Sequence, residues 1–156
     1  MSIEDFEQRW QHTRGMTIEF LEGASDDCLD FRPGPAFSTI REQARHLICV
    51  QGMYHLGLRG MPVDFSGKES YYEGPVDAPS LIAGLRAADD ELADLLAQIR
   101  RNGDEFEIDW YGNLLGIAGY GAVFVQHEAL HHGQWVVHAR LGGFPTPIGW
   151  LLNWGL

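Results

Sequence analysis

Apolar residues recur at alternating steps of three and four along four separate stretches of this 156-residue chain. Such spacing places them on one face of an amphipathic helix. The first stretch shows the pattern in Ile3, Phe6, Trp10, Thr13, Thr17 and Phe20. Long helices of this kind bury their apolar faces against one another. The pattern therefore predicts an all-α four-helix bundle that forms a single domain over residues 1–156.

Local signals predict where the first two helices begin and end. The first helix is expected to stop at Gly23, and residues 28–37, which are rich in proline and glycine, are expected to form a loop. Thr39 is followed three residues later by Glu42, which is typical of a capping box. A second helix is therefore predicted from this point to about Leu58.

The remaining helices are predicted in the same way. Residues 59–79 are rich in glycine, proline and tyrosine and are expected to be irregular, with Ser80 capping the third helix and Gly103 ending it. Apolar and polar residues alternate within 104–115, which indicates a short extended segment. The fourth helix is expected to follow from about Leu115 to the glycine pair at 142–143.

Charge and hydropathy exclude several classes of partner. Eleven basic residues stand against 22 acidic ones, giving a formal net charge of -11. Such a surface repels phosphate backbones and anionic lipids, so neither nucleic acid nor a membrane surface is expected as a partner. No stretch is apolar enough to span a bilayer, and the acidic start of the chain does not resemble a signal peptide.

The two cysteines, Cys28 and Cys49, are too few for a disulfide framework and lack the spacing of a metal or redox motif. Proteins with this cysteine usage are typical of a reducing compartment. We therefore expect a cytoplasmic location.

Histidines interrupt the apolar seam of the fourth helix. His127 and His131 are four residues apart, so their side chains lie one above the other and can bind one metal ion. His46, on the inner side of the second helix, is a candidate third ligand, although its spacing alone does not fix its position. His138 lies about 10 Å further along the axis and is expected to be a hydrogen-bonded core residue. The remaining histidines, expected at the surface or in a second layer, are His12, His55 and His132.

Residues 127–131 read HEALH, which matches the zinc-protease signature H-E-x-x-H. In such proteases the glutamate activates a water molecule, so Glu128 is a candidate general base. The glycine and the third histidine of the longer zincin motif are each displaced by one residue here, as Gly133 and His138. A metal-dependent peptidase is therefore the weaker interpretation of this segment.

The same residues resemble another family. His127-Glu128-x-x-His131-x-Gly133-Gln134 is similar to the motif H-x-x-x-H-R-G-Q of the DinB/YfiT-like metalloenzymes, in which a further histidine before a leucine lies on the second helix. Here that pair is His46-Leu47, and the exit at Gly142-Gly143-Phe144-Pro145 also fits the family. One departure is His132, which stands where the family usually has arginine.

This resemblance implies a divalent metal ion, commonly zinc or nickel, bound by His46, His127 and His131 with coordination positions left open. Some members are transferases or isomerases that use a low-molecular-weight thiol such as bacillithiol, mycothiol or glutathione, and dimers are common. It thus implies a small-molecule substrate and a homodimer. A dimer also fits the apolar tail after Pro147, although the tail can equally fold back on its own bundle.

Three ligands leave the type of function open. A bound metal lowers the pKa of a thiol or of water, so a thiol S-transferase and a metal-dependent hydrolase are both compatible with the residues. Glu128 as general base and Gln134 as an orienting partner of His131 are candidates in either case. A non-catalytic metal-binding protein is the third possibility, and a fourth ligand that closes the site would favour it.

Overall fold

A computed structural model describes residues 2–103 and 106–156, except for the side chains of residues 67–69. The elements, in chain order, are helices α1 (Ile3–Gly23), α2 (Asp26–Asp30) and α3 (Ile40–Leu58), a 3-10 helix (Phe65–Tyr71), helix α4 (Ala78–Asn102), strands β1 (Glu107–Trp110) and β2 (Asn113–Gly116), and helices α5 (Ile117–Gly142) and α6 (Ile148–Trp154). Helices α1, α3, α4 and α5 are long and pack together. This confirms the all-α four-helix bundle.

The capping box at the start of α3 is confirmed. The hydroxyl of Thr39 accepts a hydrogen bond from the Glu42 backbone N–H at 3.1 Å, and the Glu42 carboxylate accepts one from the Thr39 N–H at 2.8 Å. These bonds satisfy two donors that no helical carbonyl can reach. The start of α3, the helix that carries His46, is therefore fixed by local sequence.

The prediction that Ser80 caps the third helix is wrong. Asp77 is the cap, and its carboxylate accepts a hydrogen bond from the Ser80 N–H at 2.9 Å. Pro79 falls within the first turn, where a missing N–H costs nothing. The helix therefore begins at Ala78, before the serine that the sequence suggested.

Two predicted loops contain short helices. Residues 28–37 were expected to be irregular, but Cys28, Leu29 and Asp30 belong to α2, which Ser25 caps. The irregular stretch 59–79 contains the 3-10 helix. The extended segment forms a hairpin in which β1 pairs antiparallel with β2. Asp104 and Glu105 of that segment lie outside the described residues.

The core has two apolar clusters. The first cluster includes Met16, Phe20, Leu29, Ile40, Leu47, Trp135 and Trp150. The second cluster includes Phe6, Trp10, Val50, Tyr54, Leu92, Tyr120 and Phe124. Between them, along α1, α3 and α5, the buried side chains are largely polar: Arg14, Thr17, Gln51, Glu128, His131 and His132. We call this set, together with His46 and His127, the central polar layer.

Helices α1 and α5 approach each other closely on one side of this layer. A methyl group at Gly121 would lie only 2.6 Å from the ring of Phe6, so glycine is required for the approach. Between α3 and α5 the packing is looser, and a cavity lies there. The layer is thus closed toward α1 and open toward α3.

The C-terminal tail folds back on its own bundle, and Trp150 is the residue that it buries there. Trp150 is fully buried, its indole N–H donates to the Met16 carbonyl at 2.9 Å, and its ring lies parallel to that of Trp135 at 6.2 Å. Ile148 and Leu152 on the same helix are 73% and 80% exposed. The tail therefore covers its own core and also presents apolar side chains to solvent. None of the helices in the described ranges is long and apolar enough to cross a membrane.

Candidate metal centre

Three imidazoles meet in the central polar layer. His46 comes from α3, and His127 and His131 come from consecutive turns of α5. Each offers a nitrogen atom, and the three nitrogens lie within 4.8 Å of one another. The ring centroids are 4.9 to 5.3 Å apart. The structure thus brings together the three residues that the sequence singled out as candidate ligands.

The spacing of the nitrogens fits a metal ion. The Nε2 atoms of His46 and His127 are 3.4 Å apart. Two metal–nitrogen bonds near 2.0–2.1 Å that meet at a tetrahedral angle hold their nitrogens about 3.4 Å apart. The donor set of imidazole nitrogens suits zinc, nickel and related transition metals. Both the geometry and the chemistry of these side chains therefore fit such an ion.

A glutamine orients one of the rings. The Oε1 atom of Gln43 on α3 lies 3.0 Å from Nδ1 of His131 and also accepts a hydrogen bond from the Trp135 indole N–H at 3.1 Å. Because this oxygen can only accept, Nδ1 of His131 carries the proton and Nε2 keeps its lone pair for a metal. Gln43 therefore fixes both the tautomer and the orientation of this ring.

Burial keeps the two α5 imidazoles neutral. It lowers the pKa of His127 to about 4, with a further contribution from His46. Burial likewise lowers the pKa of His131 to about 3, with contributions from His127 and His46 and an opposing hydrogen bond from Gln134. Only a neutral imidazole can bind a metal. Both side chains are therefore in the ligating form throughout the physiological pH range.

A cavity of 670 Å³ opens beside the three imidazoles, between α3 and α5. Its wall includes His46 and His131, and its rim carries Phe37, Glu42, Arg45 and Gln134. Volumes of this order are typical of small-molecule sites. No histidine, cysteine, aspartate or glutamate in residues 2–103 and 106–156 joins the three histidines as a fourth member of the cluster. A metal held there would have positions directed at the cavity.

Glu128, the candidate general base, lies on a different face of α5. It is turned by about 100° from His127, as one residue of an α-helix dictates. Its carboxylate is buried, accepts a hydrogen bond from the Thr17 hydroxyl at 2.5 Å, and lies 3.0 Å from Nε of Arg14. Burial raises the pKa of Glu128, and Arg14 and Thr17 oppose this shift. A role for Glu128 as general base stays a prediction from the motif, and this geometry does not support it.

The other histidines divide into three situations. His138 is a buried core residue, as predicted, with Nδ1 and Nε2 each 2.8 Å from a backbone carbonyl oxygen. His12 is exposed. His55 and His132, however, are fully buried and not at the surface. His132 lies 2.7 Å from the Thr17 hydroxyl, and burial lowers its pKa to about 3.

Sequence reasoning missed two functional partners. Gln134 was the candidate for orienting His131, and it does form a side-chain hydrogen bond with that ring. The partner that was missed is Gln43, which is buried and contacts Nδ1 of His131 at 3.0 Å, whereas Gln134 is exposed. Arg14 was not singled out at all. The available signals were a glutamine on the inner stripe of the second helix and two threonines, Thr13 and Thr17, on the apolar seam of the first. Polar residues on a core-facing seam need partners.

Comparison with known proteins agrees with this description. A family model described as the DinB superfamily matches residues 9–135. Among solved structures, a DinB-like protein from Bacillus cereus ATCC 10987 is similar, with a TM-score of 0.70 and 20% sequence identity. The match covers 92% of this chain and 95% of that one. The likeness to this structure concerns the fold. A search of curated proteins found no match.

Proposed function

Because the chain belongs to the DinB superfamily and brings three imidazoles together beside a cavity, we propose that it is a metal-dependent enzyme. Its ligands are His46, His127 and His131, and its metal is zinc or nickel. The observation that carries the proposal is the 670 Å³ cavity whose wall includes two of these ligands. A site that only stabilised the fold would be closed by a fourth ligand from the chain.

We assign the reaction to transfer of a low-molecular-weight thiol such as bacillithiol, mycothiol or glutathione. When bound, the metal lowers the pKa of a coordinating thiol and so makes thiolate available near neutral pH. Three neutral ligands leave its positive charge uncompensated, which strengthens this effect. The rim of the cavity presents an aromatic ring, Phe37, and two charged side chains, Glu42 and Arg45, which suit a polar thiol carrying an organic acceptor.

The decisive experiment starts with elemental analysis of the protein made without a histidine tag. We expect about one zinc or nickel ion per chain, and no metal in a His46→Ala variant. The exposed His12 provides the control, since His12→Ala should retain the metal. If the wild-type protein neither carries zinc or nickel nor binds either ion when it is added, the proposal fails.

A second stage separates transferase from hydrolase. The metal-loaded protein is incubated with each thiol and 1-chloro-2,4-dinitrobenzene, and in parallel with p-nitrophenyl acetate without thiol. Thiol consumption that the His46→Ala variant lacks supports the transferase. Metal-dependent ester hydrolysis without thiol consumption supports the hydrolase instead. Metal binding with neither activity favours a non-catalytic metal-binding protein.

We place the reaction in the cytoplasm, where such thiols are kept reduced. Both cysteines, Cys28 and Cys49, are buried free thiols, as expected for a reducing compartment. Oxidation of the purified protein should therefore be slow without denaturation, because neither thiol is accessible.

We also propose that the protein is a homodimer in which α6 lies at or near the contact. Ile148 and Leu152 expose much of their apolar surface there, and isologous contacts are the commonest oligomer type. The variant Ile148→Asp/Leu152→Asp should sediment as a monomer while keeping Trp150 and the helical fold. A wild-type protein that is monomeric at micromolar concentration would refute the dimer, and a variant that stays dimeric would place the contact elsewhere.

A further inference from the structure

On the face of α5 that turns away from the cavity, one hydroxyl group of α1 contacts two residues. The Oγ1 atom of Thr17 lies 2.5 Å from Glu128 Oε1 and 2.7 Å from His132 Nε2. All three side chains are buried, with Thr17 at 0% exposure. This hydroxyl is therefore shared between two residues that are one turn apart on α5.

The direction of these two bonds follows from the number of protons. A hydroxyl has one proton, which Thr17 uses to donate a hydrogen bond to the carboxylate oxygen, so its oxygen must accept a hydrogen bond from His132 Nε2–H. His132 is then the neutral tautomer with its proton on Nε2. Its Nδ1 carries no proton, and it has no hydrogen-bond partner within the described part of the chain. Each hydrogen bond in this series therefore has a fixed donor: His132 donates to Thr17, and Thr17 donates to Glu128.

The Glu128 end of this series of hydrogen bonds is also held by Arg14 on α1 and, through it, by Gln51 on α3. Arg14 on α1 approaches the Glu128 carboxylate with Nε and donates from Nη2 to Gln51 Oε1 on α3 at 2.8 Å. The guanidinium carbon lies 4.7 Å from the centre of the Trp10 ring. Glu128 therefore connects to α1 and α3 at once, and Thr17 is the contact that extends this connection to His132.

The anchored residues directly follow the two α5 ligands in the sequence. Glu128 follows His127, and His132 follows His131. A rotation of α5 by only about 10° would move side-chain atoms at a radius of 5–6 Å by about 1 Å. Metal–ligand distances tolerate deviations of only about 0.2 Å. Contacts that fix the rotation of this segment therefore control whether both imidazoles can reach one ion.

We propose that Thr17 is a positioning residue for the metal site, because its hydroxyl, bonded to Glu128 and His132, sets the rotation of α5 and so the positions of His127 and His131. This inference rests on the proposed metal binding. It differs from the role of Gln43, which orients the ring of His131 and makes no contact with Glu128. Thr17 acts on both ligands through the helix that carries them.

The test compares Thr17→Val, which keeps the shape and removes the hydroxyl, with Thr17→Ser, which restores it. The matched control is Thr13→Val, because Thr13 is a buried threonine one turn earlier on α1 whose hydroxyl donates to the Arg9 carbonyl of its own helix. Each protein is loaded with Co²⁺, and its affinity and visible ligand-field spectrum are measured. Thermal unfolding of each metal-free protein is recorded in parallel.

We expect Thr17→Val to bind Co²⁺ about tenfold more weakly with an altered spectrum, while Thr17→Ser and Thr13→Val match the wild type. Retention of the wild-type affinity and spectrum in Thr17→Val would overturn the proposal, even if that variant were less stable, since the hydroxyl would then serve the fold alone. If Thr17→Val does not fold, Thr17→Cys, a weaker donor of similar size, should give an intermediate affinity, and a wild-type value would again overturn it. Failure of the wild-type protein to bind Co²⁺ would refute the metal site itself, and this inference with it.

Discussion

Helix α5 presents two polar faces within one turn and a half, and they are built on different principles. On the face toward α3, His127 and His131 converge with His46 beside a cavity. On the face toward α1, Glu128 and His132 are enclosed by Thr17 and Arg14. Both faces carry histidine.

The difference between the two faces lies in where the imidazole nitrogens point. His131 uses Nδ1 for Gln43 and keeps the lone pair of Nε2, and its ring lies 5.2 and 4.9 Å from the rings of His46 and His127. His132 instead uses Nε2 to bind a hydroxyl inside the bundle. A histidine can bind a metal when one nitrogen is held by a hydrogen bond and the other lies near further ligand nitrogens. A histidine whose N–H donates to a buried hydroxyl stabilises the fold instead. Within the five residues 128–132, these hydrogen bonds therefore distinguish a candidate metal ligand, His131, from a residue that stabilises the fold, His132.

The largest expected effect tests the face toward α3. His131→Ala should weaken zinc binding by at least about a thousandfold, since two imidazoles cannot replace three. The fold should survive, because the two apolar clusters are untouched. His138→Ala serves as the control, because its nitrogens contact only backbone and Gln43 groups, and its zinc affinity, measured by competition with a chelator, should stay near the wild-type value. Equal losses in both variants would show that the ligands are wrongly assigned.

The second effect tests the face toward α1. Glu128→Leu leaves the buried Arg14 guanidinium with only the more distant carboxylate of Asp89, 3.8 Å away, which should lower the free energy of unfolding by about 3 kcal/mol. Arg14→Met/Glu128→Leu should recover most of that loss, because no buried charge remains unpaired. Urea denaturation measures both. The exposed pair Arg100–Glu4 is the control, and Arg100→Met should change little. A double variant as unstable as the single one would contradict this account of the pair.

A smaller expected effect on zinc affinity distinguishes the roles of Gln43 and Gln134. Gln43→Leu removes the acceptor for Nδ1 of His131 and should weaken zinc binding about tenfold, as is usual for partners of ligand histidines. Gln134→Leu should have a weaker effect, because Gln134 is exposed and Gln43 still fixes the ring. Isothermal titration with Zn²⁺ distinguishes them. A greater loss in Gln134→Leu would show that the sequence-based candidate was the better one.

The smallest expected effect is on how the free energy of unfolding depends on pH. Burial lowers the pKa of His132 to about 3, while in the unfolded chain a histidine titrates near 6.5. Below that pH the unfolded state binds a proton that the folded state does not, so the free energy of unfolding falls as the pH drops, here compared between about 7 and 5.5.

His132→Gln keeps a donor for Thr17 and removes this titration, so its stability should decline less over that range, by about 1 kcal/mol. Urea denaturation of the metal-free proteins at each pH provides the measurement. If the free energy of unfolding of the variant and of the wild type falls equally with pH, His132 is either protonated in the folded protein or has the same pKa in the folded and unfolded protein.

Much of the fold could be predicted because residues close together in the sequence determine where its helices form and begin. The spacing of Phe6, Trp10 and Phe20 predicted α1, and the pair Thr39 and Glu42 fixed the start of α3. Where two local signals competed, the prediction failed: Asp77 and Ser80 are both good caps, and only the structure shows which N–H the carboxylate binds.

The candidate site was only partly predictable. The spacing of His127 and His131 is a local property, and the resemblance to a family supplied His46. Gln43 and Arg14 could not be assigned, because their contacts join residues 88 and 114 positions apart and depend on how the helices are rotated against each other. No local pattern encodes that rotation. For the same reason the sequence did not predict the buried contact between His132 and Thr17.

The residues on the rim of the cavity belong to neither apolar cluster. Phe37, Arg45 and Gln134 can therefore be exchanged during evolution at little cost to folding, because substitutions away from the core usually change stability only slightly. Glu42 is the exception, because its carboxylate completes the capping box of α3. The three imidazoles belong to the central polar layer and need not change with the rim residues. Such an arrangement lets the lining of the cavity diverge while the scaffold persists, which accords with a shared fold at 20% identity.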